Sequence, residues 1–156
     1  MNVLVIGSDG FIGKHLHECI PCCGHTSVGM GKKEYDLRKP TELPHADVAY
    51  LCAGVNGFEK CEGSRDAWKS NVDGTITTIK NLLNDGTFPV FLSSDSVCWS
   101  ASQYSRMKAQ VEAYMLHSGG AIVRCGRVTQ ANIGDLIRFL LKVSNEKTHG
   151  LTEWQC

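Results

Sequence analysis

A glycine-rich loop near the N-terminus constrains the fold of this chain most strongly. Gly7, Gly10 and Gly13 are spaced Gly-x-x-Gly-x-x-Gly between a β-branched apolar run at residues 2–6 and an amphipathic segment at 11–20. In such a strand–loop–helix unit the glycines permit a tight turn, close approach of the backbone to a ligand, and close helix–sheet packing. The exposed amides and the positive helix end favour a pyrophosphate. We therefore interpret the loop as a dinucleotide-binding loop rather than an ordinary glycine-rich turn.

Short apolar runs and longer amphipathic segments alternate along the chain and define its fold class. They predict strands at residues 2–6, 26–30, 47–53, 88–92 and 121–124, and helices at 11–20, 64–84, 103–117 and 133–143. This alternation indicates βαβ units, hence an α/β fold: a Rossmann-type doubly wound parallel sheet in three α/β/α layers. The last dozen residues are polar and predict no element.

Composition and charge restrict the class of partner. The 156 residues include 16 lysines and arginines and 16 aspartates and glutamates, so the basic excess of a nucleic-acid or anionic-membrane binder is absent. No apolar run approaches the ~20 residues that cross a bilayer, and the N-terminus lacks the basic and apolar regions of a signal peptide. We expect a cytoplasmic protein that binds a small-molecule substrate, with neither nucleic acid nor membrane as a partner.

One group among the eight cysteines requires a chemical interpretation. Cys19, Cys22 and Cys23 are followed by His25, a spacing compatible with a redox pair or part of a zinc site. The sequence contains no second Cys-x-x-Cys pair, and the group lies where a helix should end. We favour reduced structural thiols over this alternative and predict no metal site.

The end of the second predicted strand bears on which dinucleotide is bound. An acidic residue about 20 positions beyond the glycines would hold a ribose 2′-hydroxyl and indicate NAD. Lys32 and Lys33 stand there instead, and their charges favour a 2′-phosphate. We therefore expect NADP, with NAD as the alternative. Asp36 and Leu37 follow in a loop where the carboxylate can accept a hydrogen bond from an adenine amino group, and we interpret the other charged residues of 34–39 as a solvated loop.

A serine, a tyrosine and a lysine form a candidate reactive group. Tyr104 and Lys108 are four residues apart on one face of the helix predicted at 103–117. Ser94 follows the fourth predicted strand, at the carboxyl edge where open α/β sheets bind ligands. A tyrosine has a pKa of about 10, and we expect the neighbouring ammonium to lower that pKa toward the range useful for general acid–base catalysis.

Together these motifs resemble the short-chain dehydrogenase/reductase superfamily. The resemblance is narrower to its extended branch, the NAD-dependent epimerase/dehydratases and dTDP-4-dehydrorhamnose reductase-like proteins, and it covers residues 1 to about 140. Besides the glycine loop, it rests on Asp36-Leu37, Ala53-Gly54, Asn71-Val72-Asp73-Gly74-Thr75, Ser93-Ser94-Asp95-Ser96-Val97, Tyr104-x-x-x-Lys108 and Ile122-Val123-Arg124.

The resemblance implies a role for each matching residue in an NADP-dependent oxidoreductase. Such an enzyme transfers a hydride to or from a carbonyl or alcohol carbon, here of a sugar nucleotide. Ser94 would polarise the keto or hydroxyl group, Tyr104 would transfer the proton, and Lys108 would bind the nicotinamide ribose and tune Tyr104. The implied cofactor-binding residues are Gly7, Asp9, Gly10, Phe11, Ile12, Gly13, Lys32, Lys33, Asp36, Leu37, Cys52, Ala53, Gly54, Asn71, Tyr104 and Lys108.

Several features depart from the pattern of the extended branch. Only ten positions separate Ser94 from Tyr104, where nucleotide-sugar members carry a longer substrate loop, and Trp99 within this loop is expected to flank the site. The sequence ends at residue 156, where relatives add a substrate-binding domain. We therefore predict an NAD(P)-binding Rossmann domain at 1–130 and, at 131–156, a C-terminal helix and tail as the remnant of a substrate-binding region.

Two other functions stay open on the sequence alone. One is a non-catalytic NAD(P)-binding module that senses or regulates. The other is a nucleotide-sugar epimerase or dehydratase relative with a reduced site. A homodimer, in which the second subunit completes the site, is an expectation from the resemblance.

Overall fold

Six parallel strands form the centre of the protein, which is described by a computed structural model over residues 1–147 and 149–154. The strands are β1 (Asn2–Ile6), β2 (Thr26–Met30), β3 (Val48–Leu51), β4 (Phe88–Ser94), β5 (Ala121–Cys125) and β6 (Gly150–Trp154). Their order across the sheet is β2-β1-β3-β4-β5-β6, and every neighbouring pair is parallel. The Rossmann-type α/β fold predicted from the sequence is confirmed.

Helices cover both faces of this sheet. They are α1 (Phe11–Cys19), α2 (Phe58–Cys61), α3 (Arg65–Trp68), α4 (Thr75–Asn84), α5 (Gln103–Ser118) and α6 (Ile133–Glu146). Successive side chains of β1 alternate between two cores: Val3 and Val5 pack in one with residues of α1 and α6, and Leu4 and Ile6 pack in the other with residues of α4 and α5. Burial on both faces explains the continuous apolar runs that predicted the strands.

The single helix predicted at 64–84 is interrupted. Ser64 caps its start, since its hydroxyl accepts a hydrogen bond from the Ala67 amide at 3.1 Å. A stretch of π-helix at Lys69–Gly74 then separates α3 from α4. A Cβ at Gly74 would overlap the carbonyl oxygen of Leu37, so this glycine allows the loop that follows β2 to lie against the helix. Hydrophobic periodicity does not register such a local widening of the turn.

The C-terminal segment contributes a strand that the sequence did not predict. β6 pairs with β5 alone at the edge of the sheet, and its side chains alternate between more and less exposed positions, so it has no apolar run. α6 packs on the same sheet through Leu136 and Leu140. The domain division at residue 130 stays a prediction, and Thr148, Gln155 and Cys156 lie outside the described residues.

Two further observations concern metal and membrane binding. Within the described ranges, no three His, Cys, Asp or Glu side chains are grouped so as to hold a metal ion. Cys19, Cys22 and Cys23 are exposed free thiols. None of the helices in the described part of the chain is long and apolar enough to cross a bilayer.

We expect Gly74→Ala to lower the free energy of unfolding by about 1–3 kcal/mol, because the added methyl group must displace the Leu37 backbone. Gly134→Ala is the matched control, since a Cβ at Gly134 in α6 would meet no atom within 4 Å. That control should gain up to about 1 kcal/mol from helix propensity. Urea denaturation measures both, and equal stability of the Gly74 variant and the natural chain would contradict the packing argument.

Candidate active site

Two adjoining cavities form a cleft at the carboxyl ends of the strands. We call them the loop cavity, about 360 Å³ and lined by Asp9 and Asp36, and the tyrosine cavity, about 560 Å³ and lined by Tyr104 and Lys108. They share Gly10, Cys52, Ala53, Gly54 and Val55. The shared residues lie beyond the ends of β1 and β3, where the strand order reverses, which is the place where open α/β sheets bind ligands.

The glycine loop has the geometry that the sequence predicted. Gly7 has a φ of +90°, and a Cβ there would lie 2.5 Å from the Ala53 amide nitrogen. A Cβ at Gly13 would overlap the Gly7 carbonyl oxygen, so this glycine brings α1 close to the loop. Gly10 supplies no side-chain cap to α1, which leaves the first amides of the helix available to an anion. The loop therefore fits a dinucleotide pyrophosphate.

Most of the predicted cofactor-binding residues line this cleft. Those at the loop cavity are Gly7, Asp9, Gly10, Lys32, Asp36, Leu37, Cys52, Ala53 and Gly54. Those at the tyrosine cavity are Gly10, Phe11, Ile12, Cys52, Ala53, Gly54, Tyr104 and Lys108, and Ser94 lines it as well. Gly13, Lys33 and Asn71 line neither cavity.

The two lysines after β2 are not equivalent. Lys32 lines the loop cavity, and its amide donates a hydrogen bond to the Asp9 carboxylate at 3.1 Å. Both lysines are exposed, but Lys33 lies outside the cavity. Both lie in a tight turn that is closed by a 2.9 Å hydrogen bond from the Tyr35 amide to the Gly31 carbonyl. Of the two lysines predicted to bind the cofactor, Lys32 therefore lines the cavity and Lys33 does not, and the role of Lys33 stays a prediction.

Arg38 is a cavity residue that the sequence assigned to a solvated loop. It lines the loop cavity and donates to Asp36 through Nε at 3.0 Å and Nη2 at 2.6 Å. The hydrogen bonds from this guanidinium hold the pKa of the Asp36 carboxyl well below its usual range. Arg38 stands in a segment rich in charged residues, so nothing in the sequence indicates that it pairs with Asp36 at the cavity.

Asn71 lies behind the cleft and shapes it. Its Nδ2 donates to the Val55 carbonyl at 2.8 Å, and its Oδ1 accepts from the Val55 amide at 2.7 Å. This amide clamp fixes the backbone just after Gly54, which both cavities share. The structure thus places Asn71 as a support for the cleft wall, whereas the resemblance implied direct contact with the cofactor.

The predicted reactive residues converge in the tyrosine cavity. Lys108 Nζ lies 5.8 Å from the centre of the Tyr104 ring and donates to the Leu92 carbonyl at 2.8 Å. Ser94 ends β4, and its hydroxyl accepts a hydrogen bond from the Ser96 amide at 3.2 Å. The spacing of Tyr104 and Lys108 on α5 therefore brings both side chains to the end of the strand that carries Ser94.

The predicted lowering of the Tyr104 pKa is wrong for this environment. Burial raises the pKa of Tyr104 to about 12, and this outweighs the hydrogen bond with the Ser94 hydroxyl, which lowers it. Desolvation also lowers the pKa of Lys108 to about 8. At neutral pH Tyr104 is accordingly a neutral phenol that can donate a proton, and Lys108 is still mostly charged. The spacing of Tyr104 and Lys108 in the sequence predicted that they lie close together, but it could not predict that both are shielded from water.

Other cavity residues were missed, although most follow a strand end. Val55 and Phe58 come after β3, and Arg127 comes after β5. The rule that ligands bind beyond the carboxyl ends of parallel strands was the signal for them. Trp99, which was expected to flank the site, lines the tyrosine cavity.

Comparisons with known proteins show which solved structures share this fold. No protein-family model and no curated protein matches the chain. Among solved structures, a dTDP-4-dehydrorhamnose reductase from Bacillus anthracis in complex with NADP matches with a TM-score of 0.84 and 16% identity, over 99% of this chain and 74% of that one. RMD from Pseudomonas aeruginosa, complexed with NADPH, matches with a TM-score of 0.82 and 14% identity, over 99% and 78%. This chain has their Rossmann-type fold.

A third match has nearly the same extent as this chain. It is a putative NAD-dependent epimerase/dehydratase from Bacillus halodurans, with a TM-score of 0.77 and 16% identity, covering 98% of this chain and 92% of that one. A dTDP-4-dehydrorhamnose reductase and a putative NAD-dependent epimerase/dehydratase are thus both among the neighbours, and these are the two kinds of protein that the motifs resembled. The resemblance is confirmed at the level of the fold.

We expect Lys108→Met to raise the melting temperature at pH 7, because the folded chain then no longer buries this ammonium. The folded pKa, about 8, lies below the ordinary value of 10.5, so the destabilisation is full below pH 8 and disappears as pH rises toward 10.5. The difference from the natural chain should shrink across that interval. Lys142→Met, at an exposed position of α6, is the control, and an identical pH trend in both variants would contradict the assignment.

Proposed function

We propose that this chain binds NADP and acts as an oxidoreductase that reduces a carbonyl carbon, or oxidises the corresponding alcohol, with Tyr104 as the proton donor or acceptor. The observation that carries the proposal is the convergence of Ser94, Tyr104 and Lys108 in a cavity continuous with the glycine loop. The proposed substrate class is a sugar nucleotide, which is supported by the likeness to the dTDP-4-dehydrorhamnose reductases.

The residues of the cleft divide between the two ends of the proposed cofactor. The amides of the glycine loop and of the first turn of α1 would hold the pyrophosphate. Lys32 and Arg38, both at the loop cavity, would meet the negatively charged 2′-phosphate end. Lys108 would bind the nicotinamide ribose in the tyrosine cavity. Bound NADPH supplies the hydride.

The proton chemistry follows from the state of Tyr104. Because burial keeps its phenol neutral at pH 7, Tyr104 can donate a proton to a carbonyl oxygen as negative charge develops there. The Lys108 ammonium, 5.8 Å from the ring centre, would stabilise the tyrosinate that remains. Ser94 lines the same cavity as Tyr104, and its hydroxyl would orient the same carbonyl oxygen.

We expect Tyr104→Phe to lower kcat for NADPH oxidation with dTDP-4-dehydrorhamnose by about 100-fold or more, the usual contribution of a general acid. NADPH affinity, measured by fluorescence titration, should change little. Tyr114→Phe, on the same helix but partly buried against the core that contains Leu4 and Ile6, is the control and should keep its turnover. NADPH binding without turnover in the natural chain would indicate the non-catalytic module instead, and full activity of Tyr104→Phe would contradict the role of this phenol.

We expect Lys32→Ala to weaken NADPH binding by about tenfold, the loss of roughly one charged contact to a phosphate, with little effect on NADH. Lys33→Ala should have a smaller effect, because Lys33 lies outside the loop cavity. Equilibrium titrations of both cofactors on both variants measure the preference. A natural chain that binds NADH more tightly than NADPH would overturn the assignment of NADP.

A further inference from the structure

Three aromatic rings stand together at the tyrosine cavity, and the proton chemistry uses only one of them. The Phe58 ring centre lies 5.8 Å from that of Tyr104 and 6.1 Å from that of Trp99, in edge-to-face arrangements. All three residues line the cavity. Phe58 is 43% exposed and Trp99 is 64% exposed. We call Phe58 and Trp99 the aromatic wall.

The backbone around Phe58 is held in place. α2, which carries it, is followed by Gly63, whose amide donates to the Gln103 side chain at 2.6 Å. Gln103 is the first residue of α5, one position before Tyr104. On its other side, α2 follows Val55, which the Asn71 amide clamps. The backbone on both sides of Phe58 is therefore tied to the elements that surround the proposed proton donor.

The turn that carries Trp99 is attached to the same helix. The Trp99 amide donates to the Ser96 carbonyl at 3.3 Å, and the Ser96 hydroxyl accepts from the Ser105 hydroxyl at 2.9 Å. Ser105 follows Tyr104 on α5. Both members of the aromatic wall are thus positioned by the element that presents the reactive phenol, which lowers the entropy lost when a ligand covers them.

Charge decides which ligand such a wall can take. Exposed aromatic rings bind either cations, through their negative faces, or flat apolar surfaces. The charged side chains that line the tyrosine cavity are Lys108 and Arg127, and no carboxylate is among its lining residues within the described chain. A cationic ligand would be repelled there, so the wall suits a neutral or anionic molecule with an apolar face.

We propose that the aromatic wall determines substrate specificity by packing against the flat apolar face of a six-membered ring that carries the reacting carbonyl. The inference rests on the proposed function, since Tyr104 must engage that carbonyl. The Phe58 and Tyr104 ring centres are 5.8 Å apart, so a substrate held by this phenol would extend over Phe58, and a ring would cover more of the wall than an open chain. Saturated carbocycles and pyranose sugars share this apolar face.

Two ketones of six carbons test the inference. We expect kcat/KM for cyclohexanone, relative to that for hexan-2-one, to fall about threefold to tenfold in Phe58→Leu and in Trp99→Leu, the range of an aromatic stacking contact. The change in this ratio between variants cancels the different intrinsic reactivities of the two ketones. Trp99→Phe keeps a flat ring and should restore most of the ratio. An unchanged ratio in both leucine variants would overturn the proposal.

A binding measurement separates this inference from the proposed function. Tryptophan emission is recorded for the natural chain and for Trp99→Phe, and their difference reports Trp99. Cyclohexanol or methyl α-D-glucopyranoside should shift this signal, hexan-2-ol should not, and Phe58→Leu should abolish the shift. A shift with cyclohexanol indicates that the wall binds a carbocycle, and a shift with methyl α-D-glucopyranoside indicates that it binds a sugar. A shift without NADPH oxidation would contradict the proposed oxidoreductase function but support ring binding by the aromatic wall. No shift, or an equal shift with hexan-2-ol, would contradict ring binding by the aromatic wall.

Discussion

The close approach of two backbones at the end of β1 governs the geometry of this protein. Gly7 lies against the Ala53 backbone, and Gly13 lies against Gly7, with no room at either glycine for a Cβ. This contact lies beneath the cleft, at the edge of the sheet where the strand order reverses. It also directs the first amides of α1 into the same opening that receives the end of β4. The phosphate-binding and proton-transfer parts of the proposed site therefore lie over the same backbone segments.

Desolvation, rather than attraction between Tyr104 and Lys108, sets their protonation. Removing both groups from water favours their neutral forms, which raises one pKa and lowers the other. An ion pair between the partly buried Arg124 and the buried Glu112, Nη2 to Oε2 at 2.7 Å, ties β5 to α5. Ser93 donates to the same Glu112 at 2.5 Å and joins β4 to the helix. This network holds α5 against the ends of β4 and β5.

Local sequence patterns predicted those parts of the molecule that depend on near neighbours along the chain. Thr26–Met30 begins and ends where the apolar pattern placed it, and Ser64 caps the helix for which its residue type is suited. The patterns did not predict the π-helical stretch at Lys69–Gly74 or the edge strand β6. The first depends on how the Leu37 loop meets Gly74, and the second on pairing with β5, and both contacts join residues distant in the chain.

The sequence by itself determined the α/β fold class, the glycine loop and the alignment of Ser94, Tyr104 and Lys108, because these follow from periodicity, backbone freedom and the meeting of parallel strand ends at one edge. Only the tertiary structure decided that Lys32 rather than Lys33 meets the cavity, that Arg38 joins it, and that Asn71 supports it from behind. It alone set the direction of the Tyr104 pKa and assembled the aromatic wall. Burial and the meeting of distant loops depend on the packed chain, and no local pattern encodes them.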